Sequence, residues 1–154
     1  MSNSIPIKYI PKKLSKKDKK KQLLMINKSR KLYKKKQYFT RKNLPSFKSK
    51  TSQHIINAKK IYKINAISAS NELSKKTGCS INALKKIISK GEGAYYSSGS
   101  RPNQTSESWA NARLASAITA GKAAVIDFNI LQNGCKKNSK ALKLAIKAKN
   151  KYKI

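Results

Sequence analysis

Acidic residues are nearly missing from this chain. Its 154 residues include 37 Lys and Arg but only 5 Asp and Glu, so the formal charge is +32. Internal ion pairing cannot neutralise that excess, and self-repulsion opposes compaction unless a polyanion is bound. A nucleic acid is the expected partner, ahead of an anionic membrane surface. Histidine is reduced to His54. Five scattered acids and one imidazole cannot supply a carboxylate metal site or a nucleophile with its base, so no enzyme activity is expected. The two cysteines, Cys79 and Cys135, lie far apart and outside any CxxC pair. Reduced, partly buried thiols are expected, with no zinc site, other metal or cofactor. The longest apolar run, AAVIDFNIL, is interrupted and far too short to span a bilayer. The start, MSNSIPIKYIPKK, lacks an apolar core and a cleavage site, so secretion is not expected.

Lysine is abundant, and it is unevenly distributed. Residues 1–66 hold 21 basic residues and one acid, residues 67–133 hold 8 and four, and residues 134–154 hold 8 and none. The pattern reads as two cationic ends around a nearly balanced middle. The expected fold is all-α, a small helical domain with a helix-turn-helix-like pair flanked by basic segments. Its boundaries are a basic N-terminal arm with one helix over 1–47, a helical core over 48–133 with a Gly/Ser-rich loop at 91–105, and a basic C-terminal helix or tail over 134–154.

Caps and apolar spacing place the helices. Ser15 with Asp18 resembles a capping box, and an acid in the first turn suits the helix dipole. Leu23, Ile26 and Tyr33 would share a face there, with Met25 and Leu32 beside them. Like charges one turn apart oppose this helix until it docks. The linker QYFTRKNLPSFKSK interleaves Tyr38, Phe39 and Phe47 with bases. Those rings either stack on nucleobases while the bases meet phosphates, or anchor the segment to the core, and anchoring is favoured. Thr51 or Ser52 opens a helix carrying Ile55, Ile56, Lys59 and Tyr62, with His54 as a surface or packing residue. SWANARLASAITAG predicts a helix with Ala110, Leu114, Ala117 and Ile118 on one face, stopped by Gly121. KAAVIDFNILQNG fits helix and strand periodicities alike, and its flanking glycines and helical neighbours favour helix. A basic helix in which Leu142, Ala145 and Ile146 graze the core closes the chain.

Residues 70–91 hold the pattern of a helix-turn-helix. Ser70 caps a short helix that ends at Gly78, and Ser80 caps a second that ends at Gly91. Ile81, Leu84, Ile87 and Ile88 point one way, while Asn82, Lys85, Lys86 and Ser89 point the other. An ordinary helical hairpin uses the same signals. If the second helix reads DNA, Asn82 is the adenine partner and Lys85 and Lys86 touch phosphates.

Lysine vanishes across GEGAYYSSGSRPNQTSESW, residues 91–109. Glycines, serines and backbone NH groups before a helix capped by Thr105 or Ser106 suit an anion cradle. No GKS or GKT ending is present, which excludes a P-loop. The chain has only four arginines, Arg30, Arg41, Arg101 and Arg113, and of these Arg101 and Arg113 are expected to need a planar fork. Two readings stand. In one, Arg101, Asn103 and Gln104 contact nucleic acid, with Tyr95 and Tyr96 as stacking surfaces. In the other, the window is an ordered loop braced by Arg101 to Asp127 or Glu107 with the tyrosines inside, and this is slightly favoured. Asp127 is expected to hold a bidentate partner in the core.

The segments GAYYSSGSRPNQTSESWANARLASAITAGKA, KYIPKKLSKKDKKKQ and GCKKNSKALKLA resemble an uncharacterised basic domain family encoded by giant DNA viruses of algae and protists and by related marine viruses. The resemblance runs from about Lys8 to Lys147, and SSGSRPNQT with SWANARLAS is its most specific part. It implies a viral origin and a fold shared along the chain, and it assigns no catalytic residues. The expected function is nucleic-acid binding, DNA ahead of RNA, inside the virion or in the nucleus or viral factory of an infected cell. The alternative is a structural virion protein whose basic arms bind acidic capsid or core proteins. Candidate contacts are Lys12, Lys13, Lys16, Lys17, Lys34, Lys35, Arg41, Lys42, Asn82, Lys85, Lys86, Arg101, Lys136 and Lys137.

Overall fold

A computed structural model describes residues 5–152. Residues 1–4 and 153–154, which the expected arm and tail include, lie outside the described residues. Among the described residues the fold is all-α. A 3-10 turn, Ile7–Tyr9, precedes α1 (Lys16–Lys34), α2 (Gln53–Tyr62), α3 (Asn71–Thr77), α4 (Ile81–Ser97), α5 (Ser106–Ala117), α6 (Lys122–Ile126), α7 (Phe128–Gly134) and α8 (Lys140–Lys151). The only extended pairing among the described residues is an isolated antiparallel bridge between Cys79 and Cys135.

The chain divides into two compact units, and the division differs from the expected arm, core and tail. Unit 1 joins residues 1–50 to residues 92–109, and unit 2 joins residues 51–91 to residues 110–154. The described residues 5–50 therefore belong to a packed body together with residues 92–109. The C-terminal helix likewise belongs to unit 2.

In unit 1, Ser15 caps α1 by accepting from the Asp18 amide at 3.1 Å. Its inward face is Asp18, Gln22, Met25, Ile26 and Ser29. Leu23, expected on that face, lies largely outside at 43 % exposure. Gln22 donates to the carbonyls of Tyr9 and Ser100, each at 3.2 Å, so a polar residue ties the N-terminal turn to the window. Leu14, Met25 and Leu44 form a small apolar cluster, against which Phe39 and Phe47 pack. Those two rings therefore anchor the linker.

Unit 2 holds the larger core. Tyr62, Leu73, Leu84, Ile87, Leu114, Ile118, Leu131 and Leu142 meet a series of alanines from α5, α6 and α8. The small side chains let helices approach closely and pack to interior density. Ser52, Ser70 and Ser139 cap α2, α3 and α8. Ser80 Oγ accepts from the Ala83 amide at the start of α4. The ambiguous segment is helical but broken at Asp127 into α6 and α7. On α8 the buried residues are Ala141, Leu142, Ala145 and Ala148, while Ile146 is 46 % exposed.

Two expectations fail here. The cysteines are joined: Cys79 and Cys135 form a disulfide with an S–S distance of 1.97 Å across 56 residues of sequence. The bridge that aligns them has Ser80 N donating to Gly134 O and Lys136 N donating to Gly78 O. That contact lies far along the chain, so local spacing carried no trace of it. Nor does Gly91 end the second helix of the pair, since α4 runs on to Ser97. Gly91 instead allows a close approach within unit 2, because a Cβ there would lie 2.7 Å from Ala110 Cα. Gly78 does take the left-handed turn, at φ +79.

Candidate nucleic-acid interface

Every described lysine except Lys19 is exposed. The acids face inward more than their number suggests. Arg113 clasps the buried Asp127 through Nε and Nη2 at 2.9 and 2.8 Å, the bidentate partner expected for Asp127. Lys90 approaches the same carboxylate at 4.0 Å. Asp18 accepts from the Ser46 hydroxyl and amide, and those hydrogen bonds hold its carboxyl below the usual range against the opposing effect of burial. Glu72 makes a surface pair with Lys76 at 3.8 Å. Unit 1 carries 19 basic residues against three acids and unit 2 carries 18 against two, so each has a net charge of +16. The positive charge is thus divided equally between the two units.

In unit 1, Lys12 and Lys13 are exposed before α1, Lys16 and Lys17 on its first turn, and Lys34 and Lys35 at its end. Lys42 is also exposed. Arg41 is not available to a phosphate. It is 6 % exposed, donates from Nη1 to Ser29 Oγ and Tyr95 O and from Nη2 to Ser100 Oγ, and lies 3.8 Å from the Tyr95 ring centroid. Burial lowers its pKa, but from a value so far above neutrality that the guanidinium stays charged. Arg101 is exposed, and the Asp127 carboxylate is taken by Arg113.

The window is an ordered, internally bonded segment. Asn103, at φ +62, accepts from Leu44 N and donates to the carbonyls of Leu44 and Phe47. Arg30 donates from Nε and Nη2 to Ser98 O. Thr105 Oγ1 accepts from the Ser108 amide, while Ser108 Oγ accepts from the Thr105 amide. Thr105 thus caps α5, one of the two caps expected there. Asn103 and Gln104 likewise serve the loop: Gln104 O accepts from the Tyr95 hydroxyl. Tyr95 is fully buried and Tyr96 half-buried.

In unit 2 the helix pair joined at Gly78 is present, and Asn82, Lys85 and Lys86 are exposed on the early turns of α4. Asn82 and Lys86 line a shallow depression of about 240 Å³ together with Ser80, Asn129, Ile130 and Asn133. Asn129 and Asn133 went unnoticed in the sequence. Their spacing of four on the outer side of α7 was the available signal, hidden while that segment fitted two periodicities. The bridge to Gly78 fixes the main chain at Lys136, and Lys136 and Lys137 are exposed. The imidazole of His54 lies within 3.0 Å of where a Cβ on Gly121 would sit, and burial lowers its pKa. Among the described residues, no group of three His, Cys, Asp or Glu is placed to hold a metal ion. No described helix is long and apolar enough to cross a membrane.

The profile of DUF5824, a family of unknown function, matches residues 6–135. The chain belongs to this family. The DUF5824 match takes in both cysteines and every candidate contact except Lys136 and Lys137, and it stops before α8. No curated protein and no solved structure matches the chain.

Proposed function

We propose that this DUF5824 protein binds nucleic acid, DNA ahead of RNA, without catalysing a reaction on it. The observation that carries the reading is the charge arrangement: each unit has a net charge of +16, its lysines face outward, and two of the few acids are turned inward. Such a surface gains affinity by releasing the counterions condensed on a polyanion. The exposed Lys12, Lys13, Lys16, Lys17, Lys34, Lys35 and Lys42 of unit 1 serve as phosphate contacts, with Arg101 beside them. In unit 2, Lys85, Lys86, Lys136 and Lys137 do the same, and Asn82, which lines the depression on α4, serves limited base reading. The resemblance to proteins of giant DNA viruses supplies the setting. The protein is made during infection, acts in the nucleus or viral factory, and is packaged with the genome.

A salt series tests this. If roughly six to ten phosphates are engaged, affinity for duplex DNA falls by about three to five decades between 50 and 200 mM salt. A slope near zero rejects the proposal. Competition separates it from the alternative of binding to acidic virion proteins, since excess duplex DNA strips the protein from such a partner only if DNA is the true ligand.

A further inference from the structure

Phe39 and Phe47 of the aromatic linker turn inward, but Tyr38 does not. It is 68 % exposed. Tyr38 lies against two half-buried rings, with centroids 6.1 Å from Tyr33 and 5.1 Å from Tyr96. Tyr33 and Tyr96 are themselves nearly parallel, with an interplanar angle of 10° and centroids 6.2 Å apart. The fully buried Tyr95 meets Tyr96 edge-on at 5.0 Å. Beneath the group, Ser29 Oγ donates to Tyr96 O, and Arg41 holds Tyr95 O. The three outer rings thus rest on a fixed, hydrogen-bonded base.

The chain takes an unfavourable path to bring Tyr38 there. At the end of α1, Lys36 N donates to Tyr33 O and Gln37 N to Leu32 O, the double hydrogen bond of a left-handed helix stop. The left-handed position, which favours glycine, is held by Lys36 at φ +61. That reversal folds Tyr38 back onto Tyr33, and Lys34, Lys35 and Lys36, the residues between them in sequence before Gln37, are all exposed.

An exposed aromatic ring on a hydrogen-bonded base, next in the chain to a run of exposed lysines, matches one chemistry well: an unpaired nucleobase with its phosphates. Duplex bases cover each other's faces, so only a single strand can present one. We propose that Tyr38, seated on Tyr33 and Tyr96, is a base-stacking platform for single-stranded nucleic acid, with Lys34, Lys35 and Lys36 meeting the flanking phosphates. This rests on the nucleic-acid reading above and names a ligand form and a site within it.

The test uses the full chain with labelled single-stranded oligothymidylate, single-stranded oligouridylate and a blunt DNA duplex of equal phosphate count, each in a salt series. Tyr38→Ala is expected to weaken single-strand binding about tenfold and leave the salt slope unchanged. Duplex binding is expected to stay within about twofold, because the duplex hides its base faces. Tyr38→Phe keeps a ring and is expected to retain single-strand affinity, which guards against a fold defect, as do matching circular dichroism spectra. Comparison of the two single strands shows whether DNA or RNA is preferred. If the wild type binds all probes and Tyr38→Ala is indistinguishable from it, or loses duplex and single strand equally, the platform is overturned while the broader proposal stands. If no probe binds, both are overturned together.

Discussion

Three of the four arginines do work that lysine cannot. Arg113 grips Asp127 with two nitrogens, Arg30 aims two at the Ser98 carbonyl, and Arg41 distributes its donors over a carbonyl and two hydroxyls. In a chain with so few carboxylates, main-chain oxygens take the carboxylate's place, and only a planar fork can engage several of them at fixed angles. Arg41 is the most demanding case, because its charge is buried over a tyrosine face without a formal anion. Arg41→Ala is expected to lower the stability of unit 1 by on the order of 3 kcal/mol, since it leaves buried acceptors unpaired. Arg41→Lys is expected to recover less than half of that, because one ammonium cannot span Ser29, Tyr95 and Ser100 together. Urea unfolding followed by circular dichroism measures both. Arginine scarcity was visible in the sequence and pointed to forks. Which oxygens Arg30 and Arg41 would hold was not, because Ser98 O, Tyr95 O and Ser100 Oγ all lie more than 50 residues away in sequence.

Helix α4 contains two glycines with opposite roles. Gly91 faces the backbone of Ala110, whereas a Cβ on Gly93 would meet only Tyr33 Oη at 3.4 Å, an ordinary contact. Gly91→Ala is therefore expected to destabilise by about 2 kcal/mol through overpacking. Gly93→Ala is expected to be neutral or to stabilise by up to about 1 kcal/mol, the usual gain for a helix interior. Thermal melts of the two variants compare them directly. The same pair explains where sequence reading succeeded and failed. Helix starts were legible because a serine acts on an amide two or three residues away, as at Ser15, Ser52, Ser70 and Ser80. The glycine stop at Gly78 was legible for the same local reason. Gly91 misled because its purpose is the close approach of another helix, which its immediate neighbours do not announce. The exposure of the candidate lysines was legible, and Arg41 failed because its type was read without its burial.

Distant parts of the chain are joined by a single covalent link. The Cys79–Cys135 disulfide fastens the turn of the helix pair to the segment entering α8. Closing a loop with 56 residues of separation restricts the unfolded chain, and the loop-entropy relation gives about 4 kcal/mol. Reduction, or Cys79→Ser with Cys135→Ser, is expected to lower the melting temperature of unit 2 markedly, with thermal unfolding measured with and without a dithiol reductant. An unchanged melt would mean that the Gly78–Lys136 and Ser80–Gly134 backbone bonds suffice alone.

The interleaving of the two units has its own consequence for biosynthesis. Residues 1–50 leave the ribosome with 18 basic residues and one acid, and their packing partners in residues 92–109 have yet to be translated. Until then this segment is a bare polycation emerging beside ribosomal RNA. Truncations that stop before Trp109 reproduce that unfinished state, and their adhesion to RNA says nothing of the finished protein.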